Sequence, residues 1–200
     1  MGEPEREGRV WLRRERAVLM MAGEPALPNR VVAADHFSVL GVPRRWQQDA
    51  VELERAYKDR ARQVHPDRFV RADALARRAA LTQAVAVNDA WRTLKDPVRR
   101  AEYLLGLWGT PPVEKTPVPQ SLLMDVLERR EALMEARQAD DEGRVAALVG
   151  EVRVSRQREL QNLEAGFAMD PPPVESLIQA LAAVRYWDRF LDEADDDDVG

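Results

Sequence analysis

Wherever apolar residues recur in this sequence, they recur at spacings of three and four. Ala50, Leu53, Tyr57, Ala61 and Val64 are spaced 3, 4, 4 and 3, the pattern of a helix that buries one face. No run alternates apolar and polar residues between turn residues, as a half-buried strand would. The chain is therefore predicted to be all-α. Asp35–Leu40 reads as a short first helix closed by Gly41 and Pro43. Asp49, with Glu52 three residues on, opens the second helix with an aspartate version of the capping box. That helix must stop before Pro66, because the residue ahead of a proline avoids helical backbone. A third helix is expected over 73–95, with Leu81, Val85, Trp91 and Leu94 facing inward. Asp96-Pro97, a cap followed by proline at the first helical position, opens a fourth that runs to Trp108.

Pro111, Pro112, Pro117 and Pro119 then break the pattern, and 110–120 reads as a stiff linker. Three further helices are expected over about 121–138, 141–165 and 171–192, the last opened by Asp170-Pro171. The chain ends in an acidic tail, 194–200, and begins with an extension, 1–34, in which Met20 and Met21 are alternative starts. The resulting division is 1–34, 35–109, 110–120, 121–193 and 194–200.

Composition removes several functions. There is no cysteine and there are only two histidines, His36 and His65, which excludes thiol chemistry, thiolate zinc sites and cysteine-held clusters and argues against a histidine-rich metal site; no metal and no cofactor are expected. No apolar stretch approaches the roughly 18 residues needed to cross a membrane. The apolar run VLMMA is too short for a secretory signal, and five acids within 1–34 argue against a transit peptide. A cytoplasmic protein is therefore the default expectation, and arginine outnumbering lysine 27 to 3, a bias of GC-rich genomes, makes the expected location a bacterial cytoplasm. Residues 35–109 hold 14 Lys/Arg against 10 Asp/Glu, whereas 110–200 hold 10 against 20. A basic half joined to an acidic half suggests two protein partners. A nucleic-acid binder would concentrate basic charge more strongly.

The stretch QVHPDRFV, 63–70, holds the chain's most distinctive tripeptide. His65 and Asp67 could form a base and its orienter, but no nucleophile is placed with them, so an enzyme site is not expected. Alone, the tripeptide is also consistent with a simple helix-ending turn. Its setting favours a docking surface: Arg55, Lys58 and Arg62 form one stripe of the preceding helix, and Arg60 and Arg68 lie close by. A rigid loop beside a basic face suits an acidic partner surface.

DHFSVLGV, then a basic helix, then HPD-Arg-Phe and VNDAWRTLKDPVRRAEYLL resembles a J domain. With the linker and LLMDVLERREALMEA after it, the chain more narrowly resembles the HscB (Hsc20) family of iron–sulfur cluster co-chaperones, over about Asp35 to Glu193. The resemblance implies a four-helix J domain packed against a C-terminal three-helix bundle. It implies no catalysis of the chain's own. A J domain stimulates the ATPase of a DnaK-type chaperone, HscA in bacteria, and the bundle delivers the scaffold protein IscU. Carried over, His65, Pro66 and Asp67 are the chaperone-activating loop, and Arg55, Lys58, Arg62 and Arg68 its electrostatic surround. Arg68 stands where many J domains have lysine. The scaffold contact falls on Leu123, Met124, Leu127, Glu128, Glu131, Glu135 and Tyr186. No nucleic acid and no membrane are implied. A J protein for a different client, or a helical adaptor with an idle HPD turn, remain the alternatives.

The helix 121–138 can also be read by projection at about 100° per residue. Leu122, Val126 and Leu133 share one face. Leu123, Leu127 and Met134 lie at about 100–140° from Leu122, and Met124, Glu128, Glu131 and Glu135 at about 180–240°. This apolar arc is wider than one buried face needs, although Leu123 and Met134 could be core at a seam with the J domain. On the last helix Leu177, Leu181, Val184 and Leu191 face together, and Tyr186 points nearly opposite. Asp188 falls on the apolar side and calls for an arginine partner or a rotated helix.

Overall fold

The computed structural model describes residues 35–113 and 116–196. The extension 1–34 and the last four residues of the acidic tail lie outside them. The described helices all belong to one compact unit, Asp35–Gly200. They are α1 (His36–Leu40), α2 (Ala50–Gln63), α3 (Ala74–Lys95), α4 (Pro97–Leu107), α5 (Gln120–Gln138), α6 (Glu142–Phe167) and α7 (Val174–Asp196), with a 3₁₀ turn at Pro66–Phe69. No strand occurs among the described residues.

The predicted caps form. Asp49 Oδ1 accepts from the backbone N–H groups of Val51 and Glu52 at 2.8 and 2.9 Å. Asp96 Oδ1 accepts from Val98 and Arg99 at 2.8 and 3.0 Å. Each satisfies donors that a helix start leaves open. Asp35 caps α1 through the Ser38 N–H, and Gly41 closes it at φ 75°, backbone that glycine adopts without strain.

α1 to α4 surround Phe37, Leu40, Leu53, Val64, Val87, Ala90, Leu94 and Leu104. Two expected inward residues of α3 are corrected: Leu81 and Val85 are exposed, and the buried stripe is Ala80, Val87, Ala90 and Leu94. Alanine lines this face because small side chains let α3 lie close to its neighbours, so the largest apolar residues do not mark the buried side. Ala50, in the first turn of α2, is also exposed.

α5, α6 and α7 enclose Val126, Leu133, Leu148, Val152, Trp187 and Phe190. α7 starts at Val174 rather than after Asp170, because Pro172 and Pro173 follow Pro171 and each residue ahead of a proline is held out of helical backbone. α7 is buried on nearly every side. One flank, with Trp187 and Phe190, fills the bundle. The other, Leu177, Leu181 and Val184, packs with Ala101 and Leu105 of α4 and with Val113 from the proline-rich segment. Each such fully buried side chain contributes roughly 1.5–3 kcal/mol relative to exposure. Asp188 finds its arginine: it pairs with Arg156 of α6.

This seam joins the first four helices to the bundle. Trp46 stacks on Phe167 with ring centroids 5.9 Å apart and donates through Nε1 to the Pro97 carbonyl at 3.1 Å. The buried Arg100 guanidinium lies 5.6 Å from the Trp46 ring, and Arg185 of α7 pairs with Glu102 of α4.

The start of α1 carries a pH dependence. The His36 ring stacks on Tyr103 at 4.3 Å, and its backbone N–H donates to the Tyr103 hydroxyl. Burial pushes the His36 pKa below its ordinary 6.5, against the opposing pull of Asp89 and Asp35. The unfolded chain therefore binds the proton more readily, so this contribution is complete above pH 6.5 and is lost as pH falls through the lower folded value. Burial also pushes the Asp35 carboxyl up, but the Ser38 N–H and Arg44 outweigh it and hold it below 3.8; its contribution disappears only in stronger acid. Thermal melts between pH 7.5 and 5 should show the first loss. His36→Phe, which keeps a stacked ring and removes the proton site, should flatten it.

Candidate functional site

The HPD tripeptide joins the end of α2 to the 3₁₀ turn. Pro66 occupies the first position of that turn, where its fixed φ suits helical backbone and its missing N–H costs nothing. His65 Nδ1 lies 3.4 Å from the Asp67 backbone nitrogen, whose N–H it accepts, and 3.4 Å from Asp67 Oδ2. In a neutral imidazole with Nδ1 accepting, Nε2 carries the proton and can donate outward. The side chains are open to solvent, His65 at 59% and Asp67 at 86%. The loop is thus shaped by local bonds and presents both polar groups outward.

Arg55, Lys58, Arg62 and Arg68 are all exposed beside it. Lys58 pairs with Glu54 at 2.7 Å and Arg62 with Asp59 at 3.6 Å. Exposed pairs of this kind are worth about 0–1 kcal/mol and exchange readily for a partner's carboxylates. Val70 and Leu75, just beyond the turn, are exposed as well. Projection of the second helix alone does not reveal them, because they lie on the far side of the proline.

On α5 the core stripe is Leu122, Val126 and Leu133. Leu123, Met124, Leu127 and Met134 are exposed at 37%, 49%, 53% and 58%, so none is core at the seam. Glu128, Glu131 and Glu135 are exposed along one flank. On the other side Arg130 pairs with Glu193 of α7 at 3.0 Å. Gln179 donates to the Pro117 carbonyl near the start of both helices, and Arg137 donates to the carbonyls of Glu193 and Ala194 near their ends. α5 and α7 therefore run side by side in the same direction, with Tyr186 level with the first half of α5. Tyr186 is half-buried against the bundle core, and the Arg189 guanidinium lies 5.8 Å from its ring. It is less open than its opposition to Leu177 suggested, since both flanks of α7 are packed.

Among the described residues no cluster of three or more His, Asp or Glu could hold a metal, and no helix is long and apolar enough to cross a membrane.

Two family profiles match in tandem. One, described as a DnaJ domain, covers residues 35–103. The other, described as the HSCB C-terminal oligomerisation domain, covers 118–195. Among solved structures, the chaperone HscB from Vibrio cholerae is similar, with TM-score 0.72 and 28% identity over 82% of this chain and 97% of that one. The crystal structure of the human co-chaperone protein HscB gives TM-score 0.74 and 25% identity over 86% of this chain and 84% of that one. A J domain implies an Hsp70-type partner, and J-domain co-chaperones are regulators rather than enzymes. With the HPD turn, the two tandem domains and their seam all in place, the chain belongs to the HscB family of J-domain co-chaperones of iron–sulfur cluster assembly.

Proposed function

We propose that this protein brings an IscU-type cluster scaffold to a DnaK/HscA-type chaperone and triggers that chaperone's ATPase, with no catalysis of its own. The observation that carries the reading is the pairing of two exposed surfaces on one compact unit: a polar HPD turn beside a basic helix, and an acid-bordered apolar face on α5. His65, Pro66 and Asp67 act as the activating loop. Arg55, Lys58, Arg62 and Arg68 steer an acidic partner surface onto it, as complementary charge raises association rates. Leu123, Met124 and Leu127 anchor the scaffold, Glu128, Glu131 and Glu135 orient a basic rim on it, and Tyr186 supports the face from α7. The arginine-rich composition fits a GC-rich bacterial genome, and we place the protein's work in the bacterial cytoplasm.

The test is ATPase turnover of the purified chaperone with this protein, with and without purified IscU. The expected result is stimulation by this protein alone and a larger stimulation when scaffold is added. No stimulation at all would remove the co-chaperone role. Stimulation that IscU neither binds to nor enhances would point to a J protein for a different client. In the same assay the Lys58→Glu/Arg62→Glu variant should require about tenfold more protein for half-maximal stimulation. Its response should also be flatter between 50 and 300 mM salt, because screening acts on the charges removed.

A further inference from the structure

The α5 face differs from an ordinary apolar patch in its sulfur. The chain has six methionines and no cysteine. The three described methionines, Met124, Met134 and Met169, are all about half exposed or more. Met124 and Met134 lie on the face assigned above to the scaffold, ten residues apart and so about 15 Å along the axis. In projection Met134 falls about 20° from Leu127 and Met124 about 60°. The two thioethers thus bracket the most exposed leucine of the face, and both are within reach of a solvent-borne oxidant.

We propose that Met124 and Met134 form an oxidant-sensitive modification site, and that their oxidation by hydrogen peroxide or a related peroxide releases the scaffold protein. The proposal rests on the scaffold reading of α5. In the reaction a thioether lone pair attacks one peroxide oxygen, an S–O bond forms and the O–O bond breaks. The departing hydroxide takes up the remaining peroxide proton and leaves as water. Sulfur loses two electrons and the peroxide gains them. The product sulfoxide is polar where the face requires an apolar group, and this conversion disrupts methionine-lined interfaces. Without cysteine, no thiol in the chain competes for the oxidant. Met134 also extends the face about two turns beyond Leu127, which enlarges the apolar area the scaffold must cover.

The experiment treats the full chain with hydrogen peroxide, removes the oxidant, and locates added oxygen by peptide mass spectrometry. Titration calorimetry against purified, untreated IscU then follows. The untreated protein should bind, and the oxidised protein should bind at least about tenfold more weakly, the scale of losing an anchor from a desolvated contact. Methionine sulfoxide reductase should restore the affinity. Met169→Leu should keep the whole peroxide effect. In Met124→Leu/Met134→Leu the ratio of affinities before and after peroxide should approach one, whatever that variant's starting affinity. The two single variants divide the ratio by site. Unmodified thioethers, an oxidised protein that binds like the untreated one, or a double variant that still loses affinity would each overturn the proposal. An untreated protein that does not bind IscU fails at the first titration, and that outcome overturns the scaffold reading and this inference with it.

Discussion

His65→Gln is expected to return the chaperone's ATPase to its unstimulated rate while the variant stays folded. The loop supplies the reason. His65 Nδ1 is turned inward onto the Asp67 N–H, so Nε2 is the group offered to a partner. Glutamine also carries an acceptor and a donor, but on a flexible chain that does not fix the donor where the imidazole ring holds Nε2. A hydrogen bond removed from a desolvated, charge-assisted contact costs about 1.5–3 kcal/mol, more than about tenfold in stimulation. Stability should change by less than about 0.5 kcal/mol, because His65 is exposed and belongs to no core cluster. Circular dichroism and a thermal melt would check the fold. Stimulation that persists in the folded variant would sink the role given to this turn.

Leu123→Ala/Met124→Ala/Leu127→Ala is expected to abolish IscU binding and leave chaperone stimulation without scaffold as in the wild type. Anchors of this kind cost about 1–4 kcal/mol each, so the three together should weaken binding at least about a hundredfold. All three side chains are exposed, and alanine is the best helix former, so α5 should persist. Tyr186 is better probed alone and as Tyr186→Phe. It is half-buried beside Trp187 and Phe190, and truncation to alanine would disturb the bundle together with the surface. Scaffold affinity unchanged in the folded triple variant would remove this face from consideration. Loss of scaffold-free stimulation would show that the two surfaces are not separable.

The seam gives these two surfaces a fixed relation. Trp46, Arg100 and Phe167 are brought together from the α1–α2 loop, α4 and the end of α6. The Arg185–Glu102 pair adds a link between α7 and α4. Val113 is buried there as well, so the proline-rich segment contributes to the core rather than serving only as a spacer.

Helical period, the caps at Asp49 and Asp96, the halt before Pro66 and the exposed HPD turn were all legible from residues within three or four positions of one another. Each depends on local backbone geometry, which a short stretch of chain specifies by itself. The HPD tripeptide in its helical setting was likewise enough to indicate a J domain, and with it an Hsp70-type partner. Which flank of each helix is covered was decided only by tertiary structure. Leu81 and Val85 were expected inside and lie outside. Leu123 and Met134 had two possible places and took the surface. Tyr186 was expected on an open flank and is half-buried, and Asp188 acquired Arg156 from a helix about thirty residues earlier. The physical reason is common to these cases. Periodicity shows that a helix has an apolar side but not how wide a neighbour will cover it. That width is set by side chains arriving from remote parts of the chain, such as the alanines that let α3 pack close and the two layers that enclose α7.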